Sequence, residues 1–248
     1  MTEHDTSWLA RTELLLGNER VELLTKAHVL VVGLGGVGAY AAEMLCRAGI
    51  GELTIVDADN VHVTNINRQL PALHSTIGES KADILASRLL DINPLLIVHR
   101  IKDFISDEKT DALLKANYTF VVDAIDTLSP KANLIAKTIA AGIPLVSSMG
   151  AGGKLDPTRV AISDISKSHH CPLAHMLRKR LSRIGIKNGF TVVFSDEEPL
   201  PGSVAIIEGE QNKKSNVGTI SYMPAVFGIA CASVVIRTIV FGDYNKLS

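Results

Sequence analysis

Apolar positions along the chain come in two patterns: short unbroken runs, and longer stretches with apolar residues three or four apart. Val29–Val32 is the first run. It leads through a glycine-rich turn into a helix that opens at Ala39, passes Met44, Leu45 and Ala48, and stops at Gly49. Leu53–Val56 predicts a second strand, ending at Asp57. Lys81–Leu90 reads as a helix with Ile84, Leu85 and Leu89 on one face, ended by Asn93-Pro94. Then come a short strand (Ile97–Ile101), a helix (Thr110–Ala116), a third apolar strand ending in acid (Tyr118–Asp123), a helix (Pro130–Ala141) and a strand (Leu145–Ser148). Strands and helices alternating at these lengths predict a parallel sheet.

Beyond Gly150 the pattern changes. Val160–Ile165 and Thr191–Ser195 alternate like strands of an antiparallel arrangement, with a helix over Pro172–Ile184 between them. Gly209–Gly218 reads as a polar loop, and a C-terminal helix follows Pro224. Residues 8–26 form an amphipathic arm carrying Leu9, Leu14–Leu16 and Leu23–Leu24. The expectation is one α/β domain over 1–248: an arm (1–27), a parallel half (28–150), and a second half (151–248) in which the sheet turns mixed.

Composition sharpens this. Hydrophobic residues make up 46% of the 248 residues but aromatics only 4%, so the core is aliphatic, as suits parallel strands covered by helices. A net charge of -1 gives no overall mark of a nucleic-acid binder. The three cysteines, Cys46, Cys171 and Cys231, are widely spaced and include no CxxC pair. That argues for a reducing compartment and against a structural zinc site. The N-terminus is acidic and lacks the apolar core of a signal peptide, so a cytoplasmic location is expected. Val217–Ile236 carries no charge, yet Gly218, Ser221, Pro224, Gly228 and Ser233 interrupt it. It reads as a buried or dimer-packing helix, without stable membrane insertion.

The turn Gly33-Leu34-Gly35-Gly36-Val37-Gly38 carries the first chemistry. Gly33 permits the turn, Gly35 lets a phosphate approach the backbone, Gly38 lets helix pack on strand, and the helix N-terminus attracts the anion. Residues 28–150 are therefore a Rossmann-like nucleotide-binding half. Asp57, at the end of the second strand, can accept hydrogen bonds from ribose hydroxyls, which NAD and ATP both offer. The following residues discriminate. Attack on the α-phosphorus of a triphosphate loads charge onto the leaving pyrophosphate and calls for fixed cations. Arg68, within Asn65-Ile66-Asn67-Arg68-Gln69, and Lys81 supply them. Asp126, beyond the third acid-ended strand, suits a Mg²⁺ ligand, with Asp123 as the alternative or a turn-former.

The glycine loop, Asp57 and Asp59, Asn65-x-x-Arg68-Gln69, Lys81 and Asp126 together resemble the ubiquitin-activating-enzyme-like adenylyltransferases, which include the thiamine and molybdopterin biosynthesis activators. The resemblance implies homodimers that adenylate a carboxylate with ATP and Mg²⁺. Asp57 would hold ribose, Asn65, Arg68 and Lys81 the phosphates, and Asp126 the Mg²⁺. Gly35, Gly36, Asp59 and Gln69 would belong to the same nucleotide site. Arg11, in Arg11-x-x-x-Leu15-x-Gly17, would reach the partner subunit's ATP, and residues 151–248 would serve substrate and dimerisation. Further stretches are similar to the tRNA threonylcarbamoyladenosine dehydratase branch: Asp123-Ala124-Ile125-Asp126 with Pro130-Lys131, Gly150-Ala151-Gly152-Gly153 with Asp156-Pro157, Asp164-Ile165-Ser166-Lys167 with Pro172-Leu173-Ala174, and Gly202-Ser203. That branch implies ATP-driven cyclisation of the modified adenosine in tRNA through an acyl-adenylate. A monovalent cation and a sulfur-transfer protein are further candidate partners. The alternative is activation of the C-terminus of a ubiquitin-like sulfur carrier, which the missing zinc cysteines disfavour.

Ser166–Ser195 contains Lys167, Arg178, Lys179, Arg180, Arg183 and Lys187 but no acid, a candidate face for RNA phosphates. The plainer reading is an amphipathic helix with Leu173, Leu177, Leu181 and Ile184 inward and a solvated basic face. Cys171, in His169-His170-Cys171-Pro172, lies where some relatives form a thioester, although the cyclisation needs none.

Overall fold

The computed structural model describes residues 7–206 and 215–244. The arm folds as two short helices, α1 (Ala10–Leu16) and α2 (Asn18–Thr25), broken at Gly17. β1 (His28–Val32), α3 (Gly38–Arg47), β2 (Glu52–Val56), α4 (Lys81–Ile92), β3 (Ile97–Ile101), α5 (Asp107–Leu113), β4 (Phe120–Asp123), α6 (Leu128–Ala140) and β5 (Leu145–Ser148) then alternate. β6 (Val160–Asp164), α7 (Pro172–Ser182), β7 (Thr191–Ser195), β8 (Val204–Ile206), β9 (Ser215–Val217) and α8 (Tyr222–Phe241) complete the chain.

Several boundaries differ from the sequence pattern for local reasons. α5 begins three residues early because the Ser106 hydroxyl accepts from the Lys109 amide and caps it. The expected polar loop over Gly209–Gly218 is a strand at Ser215–Val217, paired with β8; its residues 209–214 lie outside the described residues. α7 stops at Ser182, so Ile184 falls past its end and is 61% exposed rather than inward.

One seven-stranded sheet runs in the order β3-β2-β1-β4-β5-β7-β6. Every neighbouring pair is parallel except β6 with β7. β8 and β9 form a separate antiparallel pair. The order reverses between β1 and β4, and this switch point leaves a crevice at the carboxyl ends of those strands.

Alternate side chains of each strand face opposite sides. Val29, Val31, Leu53 and Ile55 join a core with α3, α4 and α8; Leu30, Val32, Val56 and Val121 join another with α6 and α7. α8 is long and apolar enough, by length and composition, to cross a bilayer. Its Met223, Phe227, Cys231, Val234 and Val235 are instead buried in the first core. A Cβ at Gly228 would lie 2.4 Å from the Val37 carbonyl oxygen, so this glycine sets the close approach of α8 to α3. Burying each large side chain contributes about 1.5–3 kcal/mol, which accounts for the apolar stretch as a core helix.

Candidate active site

The glycine turn fills the crevice. Gly33 follows β1 with φ 88°, and a Cβ there would lie 2.8 Å from the carbonyl oxygen of Ala124, just after β4. At Gly38, the first residue of α3, a Cβ would lie 1.8 Å from the Gly33 carbonyl oxygen. Gly36 is pressed by Pro224 of α8, 2.8 Å from its would-be Cβ, and by the Arg68 carbonyl, 3.2 Å away. Gly35 differs: the nearest atom to a Cβ is Gln69 Nε2 at 3.5 Å, an ordinary contact. The protein itself therefore leaves Gly35 open. The Leu34 amide donates to Asp57 Oδ2 at 2.6 Å, tying the turn to the end of β2. The N-terminus of α3 and its amides face the same crevice, a favourable setting for an anion.

Around it the charges are placed, not scattered. Asp57 also accepts from the Asp59 amide at 2.8 Å. Burial pushes its carboxyl above the usual range, although Lys81 and these two amides pull the other way. Lys81 opens α4 behind the Ser80 cap, is only 5% exposed, and pairs with Asp59 Oδ2 at 2.9 Å. It is a held cation, not a solvated one. Arg68 is tethered through one fork nitrogen, Nη1, to the Thr64 carbonyl and Asn67 Oδ1, each at 2.9 Å. Asn65 spends its Oδ1 on the His62 amide at 3.0 Å, which leaves its amide end for a ligand. Gln69 Oε1 is buried without a hydrogen-bond partner, beside open Gly35. Buried acceptors are rarely left so, and this one awaits a donor.

Beyond β4 the two acids separate. Asp123 is fully buried and committed: Oδ2 meets Lys131 Nζ at 2.8 Å and Ser147 Oγ at 2.6 Å, and Oδ1 accepts from the Ile125 amide at 3.1 Å. Lys131 Nζ also donates to the Ile125 carbonyl at 3.0 Å. Asp123 thus builds the turn, and Asp126 is the acid that the turn exposes. Sequence reasoning gave Lys131 no role of its own. Its signal is there, a lysine on the apolar stripe of α6 with Leu128 and Ile135. Arg11 is exposed on α1, and among the described residues no hydrogen bond joins it to the crevice of its own chain.

A ThiF family model matches residues 9–247. The chain belongs to the ThiF family. It is 40% identical over 239 residues to the tRNA threonylcarbamoyladenosine dehydratase of Escherichia coli, covering 90% of this chain and 89% of that one. It is 46% identical over 191 residues to the Bacillus subtilis protein of the same name, 77% of this chain and 75% of that one. Among solved structures it superposes on the E. coli dehydratase in complex with ATP with a TM-score of 0.86 and 37% identity, covering 95% and 96% of the two chains.

Within this ThiF-family chain all three cysteines are free and buried. Burial pushes the Cys46 and Cys231 thiols up to about 12. Cys171 caps α7, its sulfur accepting from the Ala174 and Gly150 amides at 3.4 Å each. On the basic segment, Arg178 turns back to the Ser168 carbonyl at 2.6 Å and Arg180 to Ser129 Oγ at 2.9 Å. Lys167, Lys179, Arg180, Arg183 and Lys187 are exposed.

Proposed function

We propose that this chain is an ATP-dependent tRNA threonylcarbamoyladenosine dehydratase. The observation that carries the reading is the conjunction at one crevice of open Gly35 and the buried, held cation of Lys81. ATP lies with its phosphates over the glycine turn and the N-terminus of α3 and its ribose toward Asp57. Arg68 and Lys81, with Asn65, grip the phosphates. The substrate carboxylate attacks the α-phosphorus, the bond to pyrophosphate breaks, and a mixed anhydride forms. A nucleophile of the same modified base then attacks the acyl carbon and expels AMP, which carries off one carboxylate oxygen. The net change in the nucleoside is loss of one water.

The cations held in advance stabilise the charge that develops on the leaving groups. One outward carboxylate plus phosphate oxygens matches the usual mode of Mg²⁺ binding, so Asp126 is the residue to hold it. When bound, the ion supplies charge neutralisation on the phosphates. We place the reaction in the cytoplasm, in a homodimer. Leu14 and Leu15, 89% and 80% exposed on α1, are then covered, and Arg11 reaches the partner's nucleotide. The five exposed basic residues of the α7 segment, Lys167, Lys179, Arg180, Arg183 and Lys187, face the tRNA backbone.

The test incubates the protein with ATP, Mg²⁺ and threonylcarbamoylated tRNA, following AMP and nucleoside mass. AMP release with a nucleoside one water lighter is expected. AMP release that requires a carrier protein, with the nucleoside unchanged, would sink the proposal.

A further inference from the structure

The opposite end of the sheet carries a second polar cluster that nucleotide chemistry does not use. His28 begins β1, Glu52 begins β2 directly across from it, and His99 lies opposite Thr54 on β3. Two-residue alternation puts all four on one face of the sheet, with His28 and Glu52 at the amino ends of their strands and Thr54 and His99 midway along theirs. The three ligand-type atoms lie within 4.8 Å of one another. His99 Nε2 is 2.7 Å from Glu52 Oε1, and His28 Nδ1 is 3.6 Å from the same oxygen. Among the described residues this is the one such group of three.

The surroundings orient His28 as a ligand. Its Nε2 is 2.8 Å from Thr54 Oγ1, and its ring packs on that of Tyr118 with centroids 4.6 Å apart. In the tautomer whose Nε2–H donates to Thr54, the Nδ1 lone pair faces the Glu52 carboxylate. Two acceptors then face each other, an arrangement that a cation resolves. A histidine fixed through its second nitrogen is the usual support of a metal ligand.

We propose that His28, Glu52 and His99 form a site for a late first-row divalent cation, Zn²⁺ in the first instance. Two imidazoles and one carboxylate suit that ion, and a water completes four-coordination. The site joins the three consecutive strands at one edge of the sheet, of which β3 is the outermost. Its role is to clamp that edge, remote from the adenylation chemistry.

The experiment titrates untagged, chelator-treated full-length protein with Zn²⁺ alone, against a chromophoric chelator, and reads melting temperature in parallel. The expected result is one equivalent bound and a rise in melting temperature with Zn²⁺. His99→Ala, at a half-exposed position, weakens binding by more than roughly 100-fold, beyond the loss that outer partners cause. Glu52→Gln does the same and keeps the test valid if His99→Ala folds poorly. His170→Ala leaves binding unchanged; it controls for the neighbouring His169 and His170, whose rings are 4.9 Å apart. Failure of wild-type protein to bind overturns the proposal. So does binding that survives both Glu52→Gln and His99→Ala, or that is lost in His170→Ala.

Discussion

Replacing Gly35 with alanine separates what the protein needs of its glycine turn from what the ligand needs. In the folded chain the new methyl meets only the flexible end of Gln69, at 3.5 Å, and the backbone there has no positive φ to strain. Folding stability should therefore change little, with a gain of up to about 1 kcal/mol from the stiffer unfolded chain. ATP faces a different surface. In the proposed binding mode the methyl stands where the phosphate approaches the backbone, and losing one charge-assisted hydrogen bond costs about 1.5–3 kcal/mol. That corresponds to a roughly 10- to 150-fold rise in Kd. Gly38→Ala is the contrast, because its methyl would lie 1.8 Å from the Gly33 carbonyl oxygen. The backbone must move, at a cost of about 3 kcal/mol, and the melting temperature falls by on the order of 10 °C. The assay is a thermal melt without nucleotide beside calorimetric titration with ATP. Wild-type ATP affinity in Gly35→Ala refutes a phosphate over Gly35; a collapse of its melting temperature refutes the packing argument.

Other predictions probe neighbouring parts. Lys131→Met strands the buried Asp123 carboxylate and should cost about 3–5 kcal/mol, while Asp123→Asn with Lys131→Met recovers most of it; denaturant titration decides, and an unstable double variant counts against the ion-pair account. Arg68→Ala should keep the wild-type melting temperature but cut turnover by on the order of 10²- to 10³-fold, measured as AMP release. Burial pushes the Glu43 carboxyl up, but Arg88 and Arg47 more than offset this and hold it below its ordinary 4.5. A depressed folded value gives stability that is present above 4.5 and lost as pH falls through the folded value. The melting-temperature gap between wild type and Glu43→Gln should therefore narrow below about pH 4.5; a gap that widens in acid contradicts the sign. Cys171→Ser keeps an N-cap acceptor on α7, so turnover should stay within about twofold; its loss would reinstate a reactive thiol.

The sequence determined much of this molecule because its signals are local. Apolar runs of four or five residues, stops such as Gly49 and Asn93-Pro94, and the spacing from Gly33 to Gly38 report on backbone geometry within a few residues of themselves. Strand order, side-chain commitments and exact helix starts depend on residues far apart in the chain. Asp123 and Asp126 both follow a strand, and only the fold shows Lys131 and Ser147 closing on the first and leaving the second outward. Asp57 reads as a ribose ligand from its place after β2, yet it also holds the glycine turn through the Leu34 amide. Pro224 and Gly36 lie at opposite ends of the sequence and meet in the crevice. The His28, Glu52 and His99 cluster has no motif at all, because strand register alone brings its members together. Periodicity fixes the elements since it reports a residue's own backbone; partnership comes only with tertiary structure, since it is set by which distant chain packs alongside.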